Sequence, residues 1–377
     1  MKILINTAST FKGGGLQVAT SFIEDCKEHP ENEYHIILGF MLAKSINKDQ
    51  FPGNFFFYEI NYRPATKVFS FRSHDSFFKK LEAAVKPDVV FTTTGPAYWR
   101  PKAPHVVGYN LPHHVYPESP YLKQVNLYRK IRWKAKKIIA KYFFKRDADL
   151  IVVQTEDVNK RLRKLLGKEN VITVSNTYNT YFNNPEINAS LLPEKLTGEY
   201  RMLTLSAWYA HKNLGIIPKV IDCFPEKERD RVKFILTLPA GIYEAEIPAN
   251  YRKHIINVGP VKIAAAPSLY KECDAMFLPT LLECFSASYA EAMVMNKPII
   301  TSDMGFAKTV CEDAAIYFDP VNPADIAAKI LLVMNDATLQ AELVEKGEHR
   351  LNYFGTSAQR TKEYLDICRK AFDEYKN

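Results

Sequence analysis

Short apolar runs alternate with amphipathic segments along most of the chain. In the first half, runs of strand length occur at residues 2–6, 34–40, 87–93, 105–110, 148–155 and 170–176. In the second half they occur at residues 201–207, 232–238, 254–260, 275–280, 297–303 and 314–320. Segments with helical spacing lie between them, such as 156–167, which closes at Gly167, and 322–336, which opens with Asn-Pro. This alternation predicts parallel sheets that are covered by helices on both faces.

The alternation is interrupted before residue 200, in a stretch that has two prolines and no clear period. We therefore predict an α/β protein with two doubly wound, Rossmann-like domains and a linker at residues 186–200. The first domain would comprise residues 1–185 and a final helix at 356–377, and the second would comprise residues 200–355. A chain of 377 residues is long enough for two domains that each bury a core of their own.

The composition argues against several classes of protein. With 47% hydrophobic and 24% charged residues, the chain is typical of globular proteins. Its six cysteines form no C-x-x-C pair, and His and Cys nowhere have zinc-ligand spacing. We therefore expect free thiols without a chemical role and no metal site. The start is too polar for a signal peptide, and no apolar run reaches the roughly 18–20 residues that span a bilayer. These features favour a cytoplasmic protein whose contact with a membrane is peripheral.

Positive charge is concentrated at residues 122–146, which contain ten Lys and Arg residues and no acid. Apolar residues recur there about every 3.5 positions beside a face of lysines, and this spacing predicts one long helix. Trp133, Phe143 and Phe144 would add aromatic anchors. Such a helix fits an anionic membrane surface, at the inner face of a plasma membrane. A solvated basic face is the alternative, and nucleic acid is disfavoured because no binding motif accompanies the patch.

Gly13, Gly14 and Gly15 lie between the first predicted strand and the first predicted helix. Glycines at such a turn let the backbone approach a ligand, and the helix start offers free N–H groups to an anion. Because open α/β sheets bind ligands at these strand ends, the pattern favours contact with phosphate. A tight turn without a ligand is the alternative. The pattern is neither G-x-G-x-x-G nor a Walker loop, so a nicotinamide-binding fold is not indicated.

Two loops of the second half carry charged residues where a strand ends. His211 and Lys212 follow its first strand, where the lysine can reach a pyrophosphate and Asn213 could cap the next helix. Glu283 falls in the turn before another helix, and Glu291 lies about two turns inside that helix. A carboxylate just ahead of a helix start points to where a ligand would bind. The alternatives are a solvated lysine and an ordinary surface helix with two carboxylates.

The segment around Glu283 also resembles a known family. The matching residues are Pro279-Thr280, Glu283, Phe285, Glu291-Ala292-Met293, Lys297-Pro298 and Ile299-Ile300. They resemble the donor-site block of the retaining glycosyltransferases of family 4, two-domain GT-B enzymes of the glycosyl transferases group 1. The resemblance covers nearly the whole chain, is specific for the second domain and is weak for the first 100 residues. It implies a GT-B fold in which the two domains face each other across a cleft.

The resemblance also implies roles for individual residues. Glu283 would bind donor-sugar hydroxyls and stabilise charge at the reacting carbon, Lys212 would neutralise the leaving pyrophosphate, and Glu291 would bind the ribose. The other donor contacts would be Gly14, Gly15, His211, Phe285, Ser286 and Ala287 near the phosphates, and Val261 and Ile263 near the base. Asn110 stands where the family often has a histidine that ends a strand. The acceptor side would therefore be Asn110, His113 and His114, with His113 as the catalytic candidate.

The chain departs from the family at the leaving-group arginine, because the usual Gly-Arg is Ser206-Ala207. Either His211 or Lys262 compensates for the missing cation, or turnover is slow or absent. The family's Phe-Gly is likewise Phe285-Ser286 here.

We therefore expect a metal-independent, retaining hexosyltransferase that uses a nucleoside-diphosphate sugar and no further cofactor. Its expected acceptor is a glycan, lipid-linked, in bacterial-type surface polysaccharide synthesis. A nucleotide-sugar-binding protein with little or no transfer activity is the main alternative, because Ala207 replaces the arginine. An epimerase or a phosphorylase on the same fold is a further alternative. The Asp-x-Asp at 147–149 enters a predicted strand directly, so we expect no metal there.

Overall fold

The computed structural model describes residues 1–11, 13–66, 74–183 and 190–376, without the side chains of residues 74–76. Residues 186–189 of the predicted linker and Asn377 of the predicted final helix therefore lie outside the described residues. The chain forms two compact units. Unit 1 contains Met1–Val115, Val125–Asn176 and the residues from Ser357 onward, and unit 2 contains Tyr116–Gln124 and Thr177–Thr356.

Each unit is built on one parallel sheet. The strands of unit 1 are β1 (Lys2–Asn6), β2 (Glu33–Gly39), β3 (Phe55–Ile60), β4 (Val89–Thr92), β5 (His105–Gly108), β6 (Leu150–Val153) and β7 (Val171–Thr173). Those of unit 2 are β8 (Tyr200–Thr204), β9 (Val232–Leu236), β10 (Ile255–Asn257), β11 (Ala275–Leu278), β12 (Ile299–Ser302) and β13 (Ala315–Phe318). Their spatial orders are β3-β2-β1-β4-β5-β6-β7 and β10-β9-β8-β11-β12-β13. The predicted pair of doubly wound α/β domains is confirmed.

Helices connect the strands in both units. In chain order they are α1 (Gly14–Asp25), α2 (His74–Val85), α3 (Pro112–Val115), α4 (Pro120–Gln124), α5 (Leu127–Asp147), α6 (Glu156–Leu166), α7 (Ile217–Cys223), α8 (Glu226–Arg229), α9 (Ala240–Glu246), α10 (Ala266–Lys271), α11 (Ala287–Val294), α12 (Gly305–Cys311), α13 (Pro323–Met334), α14 (Ala337–Leu351) and α15 (Ser357–Lys376). No helix in the described part of the chain is both long enough and apolar enough to cross a membrane.

The strand order reverses beside the first strand of each sheet. In unit 1, β1 lies between β2 and β4, and in unit 2, β8 lies between β9 and β11. The connections that leave β1 and β4, or β8 and β11, therefore diverge at the carboxyl ends of these strands. Such a point is the usual ligand-binding crevice of an open α/β sheet.

The sheet strands are apolar on both faces, as expected for parallel strands that are covered on both sides. In unit 2, Phe234, Phe277 and Ile300 from three strands of the sheet are fully buried in one core cluster. In unit 1, the final helix α15 contributes to the core, where the ring of Tyr364 meets that of Phe22 edge-on at 5.5 Å. The end of the chain is therefore part of the packing of unit 1.

Three local features differ from the sequence predictions. The strand β3 was missed, because its run of aromatic residues alternates only weakly and four of its six side chains are at least partly exposed. The single helix predicted at 122–146 is two helices, because Asn126 caps α5 by accepting the N–H of Arg129 at 2.9 Å. The anchors predicted at Phe143 and Phe144 are wrong, since both rings are buried in unit 1.

Candidate functional site

Lys212 and Glu283 meet at the carboxyl ends of β8 and β11. Their side chains form an ion pair with an N–O distance of 2.5 Å, and each side chain is only 15% exposed. These two strands are neighbours in the sheet but are separated by β9 and β10 in the sequence. The switch point of unit 2 therefore brings together the cation and the carboxylate that the sequence predicts to act on one donor.

The two loops that carry this pair are joined through their backbones. The N–H of Leu281 donates to the carbonyl oxygen of His211 at 2.7 Å. The fully buried Thr280 hydroxyl reaches the same oxygen at 3.2 Å and the Glu283 carboxylate at 3.3 Å. A displacement of one loop would therefore move the other.

The predicted cap at Asn213 is wrong. Its backbone is left-handed, with φ of 57°, and its side chain donates to the carbonyl oxygen of Pro320 at 2.8 Å. The next α-helix, α7, starts only at Ile217, after short 3-10 turns. This bend leaves Lys212 at the end of a 3-10 turn rather than at the start of a helix.

The helix α11 begins at Ala287, four residues after Glu283, with Ser286 as its N-cap residue. The Ser286 side chain makes no capping hydrogen bond to the described residues, and the first turn of the helix has no acidic side chain. The first N–H groups and the positive end of the helix dipole are therefore left for an anion. Phe285 and Ser286 are buried and Ala287 is half-buried, and the Phe285 ring meets that of Phe354 at 6.0 Å.

Glu291 lies on the buried face of α11. The hydroxyl of the fully buried Tyr270 donates to its carboxylate at 3.2 Å. Burial raises the pKa of the Glu291 carboxyl from 4.5 to about 7, while the Tyr270 hydrogen bond and the charge of Lys212 oppose this shift. Glu291 therefore shares the electrostatic environment of Lys212, and its charge changes near neutral pH.

The remaining candidates of unit 2 lie on nearby segments of the chain. The ring of His211 stacks on Tyr209 at 5.5 Å and meets Tyr121 edge-on at 6.0 Å. Val261 and Ile263 are half-buried, and they precede α10, the helix that carries Tyr270. Ala207, which stands in the place of the family's arginine, is exposed.

In unit 1, the glycine turn follows β1 and starts α1. Gly13 has φ of 65° and ψ of −152°, a conformation that is nearly restricted to glycine. A Cβ atom on Gly14 would meet nothing within 4 Å, whereas one on Gly15 would lie 3.7 Å from the side chains of Asn110 and Thr94. The structure therefore groups Gly15 with Asn110 and leaves open space beside Gly14.

His113 and His114 lie on the short helix α3 with their ring centroids 4.1 Å apart. His114 is buried, and its Nε2 has no hydrogen-bond partner among the described residues. Burial lowers the pKa of His114 to about 3, and the charges of His113, Lys137 and Lys136 act in the same direction. His114 is therefore neutral at physiological pH and could act there only as an uncharged group.

The described residues contain no cluster of three or more His, Cys, Asp or Glu side chains that could hold a metal ion. The carboxylates of the Asp-x-Asp at 147–149 have other partners. Asp147 pairs with Arg146 at 2.5 Å, and Asp149 pairs with Arg100 at 2.7 Å and accepts the N–H of His105 at 2.9 Å.

Sequence reasoning assigned no role to two residues that hold the candidate site together, Thr280 and Tyr270. Thr280 sits in the Pro-Thr that ends β11, so its position after a buried strand was a usable signal. Tyr270 reads as an ordinary core aromatic, and nothing in the sequence alone shows that it donates to Glu291.

Residues 195–350 match the family model of the glycosyl transferases group 1. No match was found among curated proteins. Among solved structures, the chain is similar to the sucrose-phosphate synthase of Thermosynechococcus elongatus, with a TM-score of 0.75 and 12% identity over 99% of this chain and 100% of that one. It is also similar to HepE of Anabaena in complex with UDP, with a TM-score of 0.69 and 13% identity over 98% and 100% of the two chains.

A third similar structure is WaaG, a glycosyltransferase involved in lipopolysaccharide biosynthesis. The TM-score is 0.70 and the identity 12%, over 98% of this chain and 99% of that one. At these identities, the likeness to the three structures shows the fold alone. The chain therefore has the GT-B fold, and the segment that matches the glycosyl transferases group 1 model lies in its second unit.

Proposed function

We propose that the protein is a retaining, metal-independent glycosyltransferase of family 4 that transfers a hexose from a nucleoside-diphosphate sugar to a lipid-linked glycan. The observation that carries this proposal is the partly buried Lys212–Glu283 pair beside the start of α11. It lies at the switch point of the sheet, inside the segment that matches the group 1 family. HepE has been solved with UDP and with UDP-glucose, which supports these two as the first ligands to test.

A donor bound here would give each member of the pair a partner of its own. The diphosphate would lie against Lys212 and the N–H groups at the start of α11, which stabilise the charge that grows on the leaving group. The carboxylate of Glu283 would face the sugar, where positive charge develops at the reacting carbon. Glu291, oriented by Tyr270, would accept hydrogen bonds from the ribose.

The acceptor would react on the same face of the sugar that the diphosphate leaves. A departing phosphate oxygen takes the acceptor's proton, so no separate base is required, and the anomeric configuration is retained. The proposed acceptor group in unit 1 is Asn110 with His113 and His114. Nuclear magnetic resonance of the product's anomeric proton would test for retention, because an inverted product would exclude this step.

The decisive experiment compares Glu283→Ala with Glu246→Ala, a change at an exposed acid in the same unit. With UDP-glucose and a membrane extract as acceptor, we expect Glu283→Ala to reduce transfer at least about 1000-fold, equivalent to about 4 kcal/mol of transition-state stabilisation. Its affinity for UDP should hold or rise, because the diphosphate contacts remain and Lys212 no longer pairs with Glu283. Undiminished transfer by the Glu283 variant would refute the assignment.

A second candidate function is the binding of nucleotide sugars without transfer. It is favoured by Ala207, since an exposed methyl group replaces the cation that usually assists the leaving group. With one cation instead of two, the negative charge that grows on the leaving diphosphate would be stabilised less, and cleavage of the glycosidic bond would be slower. Calorimetric binding of UDP-glucose with no product in any acceptor extract would favour this function. Conversion of the nucleotide sugar without an acceptor would instead indicate an epimerase.

We propose that a membrane carries the acceptor and that α5 binds its anionic surface. Five large apolar side chains of this helix are between 57% and 72% exposed, namely Leu127, Tyr128, Ile131, Ile138 and Tyr142. They share the helix with nine Lys and Arg residues, and Asp147 is its only acid. Exposed apolar groups beside clustered cations suit an interface of acyl chains and anionic head groups.

Vesicle sedimentation would test the role of α5. The double variant Ile131→Ser/Ile138→Ser should bind vesicles that contain phosphatidylglycerol at least about tenfold more weakly, because it removes two apolar groups from the interface. Leu196→Ser is the matched control, since it removes an equally exposed apolar group from unit 2. Equal binding by both variants would argue for a merely solvated basic face.

A further inference from the structure

A short segment of the chain, Tyr116–Gln124, packs with unit 2, although the residues on both sides of it belong to unit 1. We call this segment the strap. The ring of Tyr116 is fully buried at its start and meets the ring of Phe306 edge-on at 5.8 Å. The strap is therefore anchored in the packing of unit 2 before it reaches the candidate site.

The Ser119 hydroxyl has one hydrogen-bond partner inside the strap and one outside it. Its hydroxyl oxygen accepts the N–H of Tyr121 at 3.3 Å, at the start of α4. The same hydroxyl donates to the carbonyl oxygen of Leu281 at 2.7 Å. Ser119 and Leu281 are both fully buried. A buried carbonyl oxygen that lost this donor would keep its desolvation cost without a compensating hydrogen bond.

Leu281 connects this hydrogen bond to the ion pair. Its N–H donates to His211 at 2.7 Å, next to Lys212, and Glu283 follows it by two residues. The strap touches the other loop as well, because the ring of Tyr121 meets that of His211 at 6.0 Å. The loop with Glu283 is thus held from one side by Ser119 and from the other by His211.

We propose that Ser119 is a positioning residue for the donor sugar. By fixing the carbonyl of Leu281, it sets the place of the Glu283 carboxylate relative to Lys212 and the start of α11. This inference rests on the proposed function, since it assigns Ser119 to the sugar-binding part of that site. Small displacements of a catalytic group can cost one to two orders of magnitude in rate, so the loss of one hydroxyl should be visible in turnover.

The test uses the full chain with Ser119→Ala, Ser119→Thr and the control Ser190→Ala. The Ser190 hydroxyl also donates to a carbonyl oxygen of unit 2, that of Leu192 at 2.9 Å, and to the carboxylate of Glu272 at 2.5 Å, and neither partner lies in a loop of the ion pair. We expect Ser119→Ala to lower kcat about tenfold. The affinity of this variant for UDP should stay within about threefold of the wild-type value, and its binding stoichiometry should equal that of wild type. The loss of turnover would then reflect a displaced carboxylate and not unfolding. Ser119→Thr, which keeps the hydroxyl, should recover most of the turnover, and Ser190→Ala should resemble wild type.

A second readout does not need turnover. The ratio of UDP-glucose affinity to UDP affinity isolates the contacts to the sugar, and Ser119→Ala should lower this ratio at least about threefold. An unchanged kcat and an unchanged ratio would overturn the proposal, as would a fall in binding stoichiometry that matches the loss of transfer. Wild-type protein that neither binds nor transfers a nucleotide sugar would instead overturn the proposed function.

Discussion

Replacement of Glu291 by Gln tests the electrostatics of the candidate site most directly. Burial raises the pKa of this carboxyl from 4.5 to about 7 in the folded protein. The folded state therefore favours the protonated acid, and the stability of unit 2 falls as the pH rises from 4.5 to 7. Since one pKa unit is worth about 1.4 kcal/mol, the whole penalty is about 3 kcal/mol, of which about 2.5 kcal/mol falls between pH 5 and pH 8.

The glutamine variant keeps the acceptor for Tyr270 but cannot ionise. We therefore expect wild-type protein to lose about 2.5 kcal/mol of unfolding free energy relative to Glu291→Gln between pH 5 and pH 8. Urea unfolding at the two pH values measures this difference, in which the groups common to both proteins cancel. The exposed Glu342→Gln in the same unit is the control and should follow wild type. An equal change in unfolding free energy between pH 5 and pH 8 for wild type and Glu291→Gln would refute the reasoning.

The same ionisation should appear in donor binding. If the charged carboxylate binds the ribose, only about a tenth of the protein is competent at pH 6, against about nine tenths at pH 8. The affinity for UDP-glucose should therefore rise about tenfold between these pH values in wild type and stay flat in Glu291→Gln. UDP-glucose is the suitable probe, because its diphosphate does not titrate in this range. Calorimetry at both pH values gives the comparison.

Three other substitutions have defined outcomes. Lys212→Ala should weaken UDP binding about 10- to 100-fold, because the diphosphate loses its cation and Glu283 is left as an unpaired, partly buried charge beside it; calorimetry would show this, and unchanged affinity would contradict it. Gly14→Ala should hold or raise thermal stability, because a Cβ there meets nothing, yet it should weaken donor binding if a phosphate approaches this turn; equal affinity would remove Gly14 from the site. Ala207→Arg should increase kcat for UDP-glucose several-fold by adding a cation for the leaving group, and an unchanged kcat would show that the chain has already compensated.

The elements of the sheets follow from local sequence, because buried parallel strands and the helices between them have distinct apolar periods. The end of α6 at Gly167 is one example, since its left-handed conformation with φ of 61° suits the glycine found there. The edge strand β3 was missed although its aromatic residues form a continuous run, because only Phe55 and Ile60 of its six side chains are buried. The period of α5 predicted the helix but could not show which face packs, so Phe143 and Phe144 were assigned to the wrong surface.

The members of the candidate site were predicted one by one, whereas their pairing depends on contacts between distant parts of the chain. Lys212 and Glu283 meet only because β8 and β11 are neighbours in the sheet. Ser119 shows the limit of local reasoning. Its Ser-Pro pattern is typical of a helix start, but the carbonyl that it binds lies 162 residues further along the chain.

The place of α15 has a consequence for synthesis on the ribosome. Its buried residues, among them Tyr364 and Cys368, complete a core whose strand β1 is translated long before α15. Domains fold as their residues emerge from the exit tunnel, usually with the amino-terminal one first. Unit 1 departs from this order, because Met1–Val115 must wait, with part of its apolar surface uncovered, until α15 has left the tunnel. Nascent chains stalled before Ser357 should therefore be ready clients for chaperones that bind exposed hydrophobic segments.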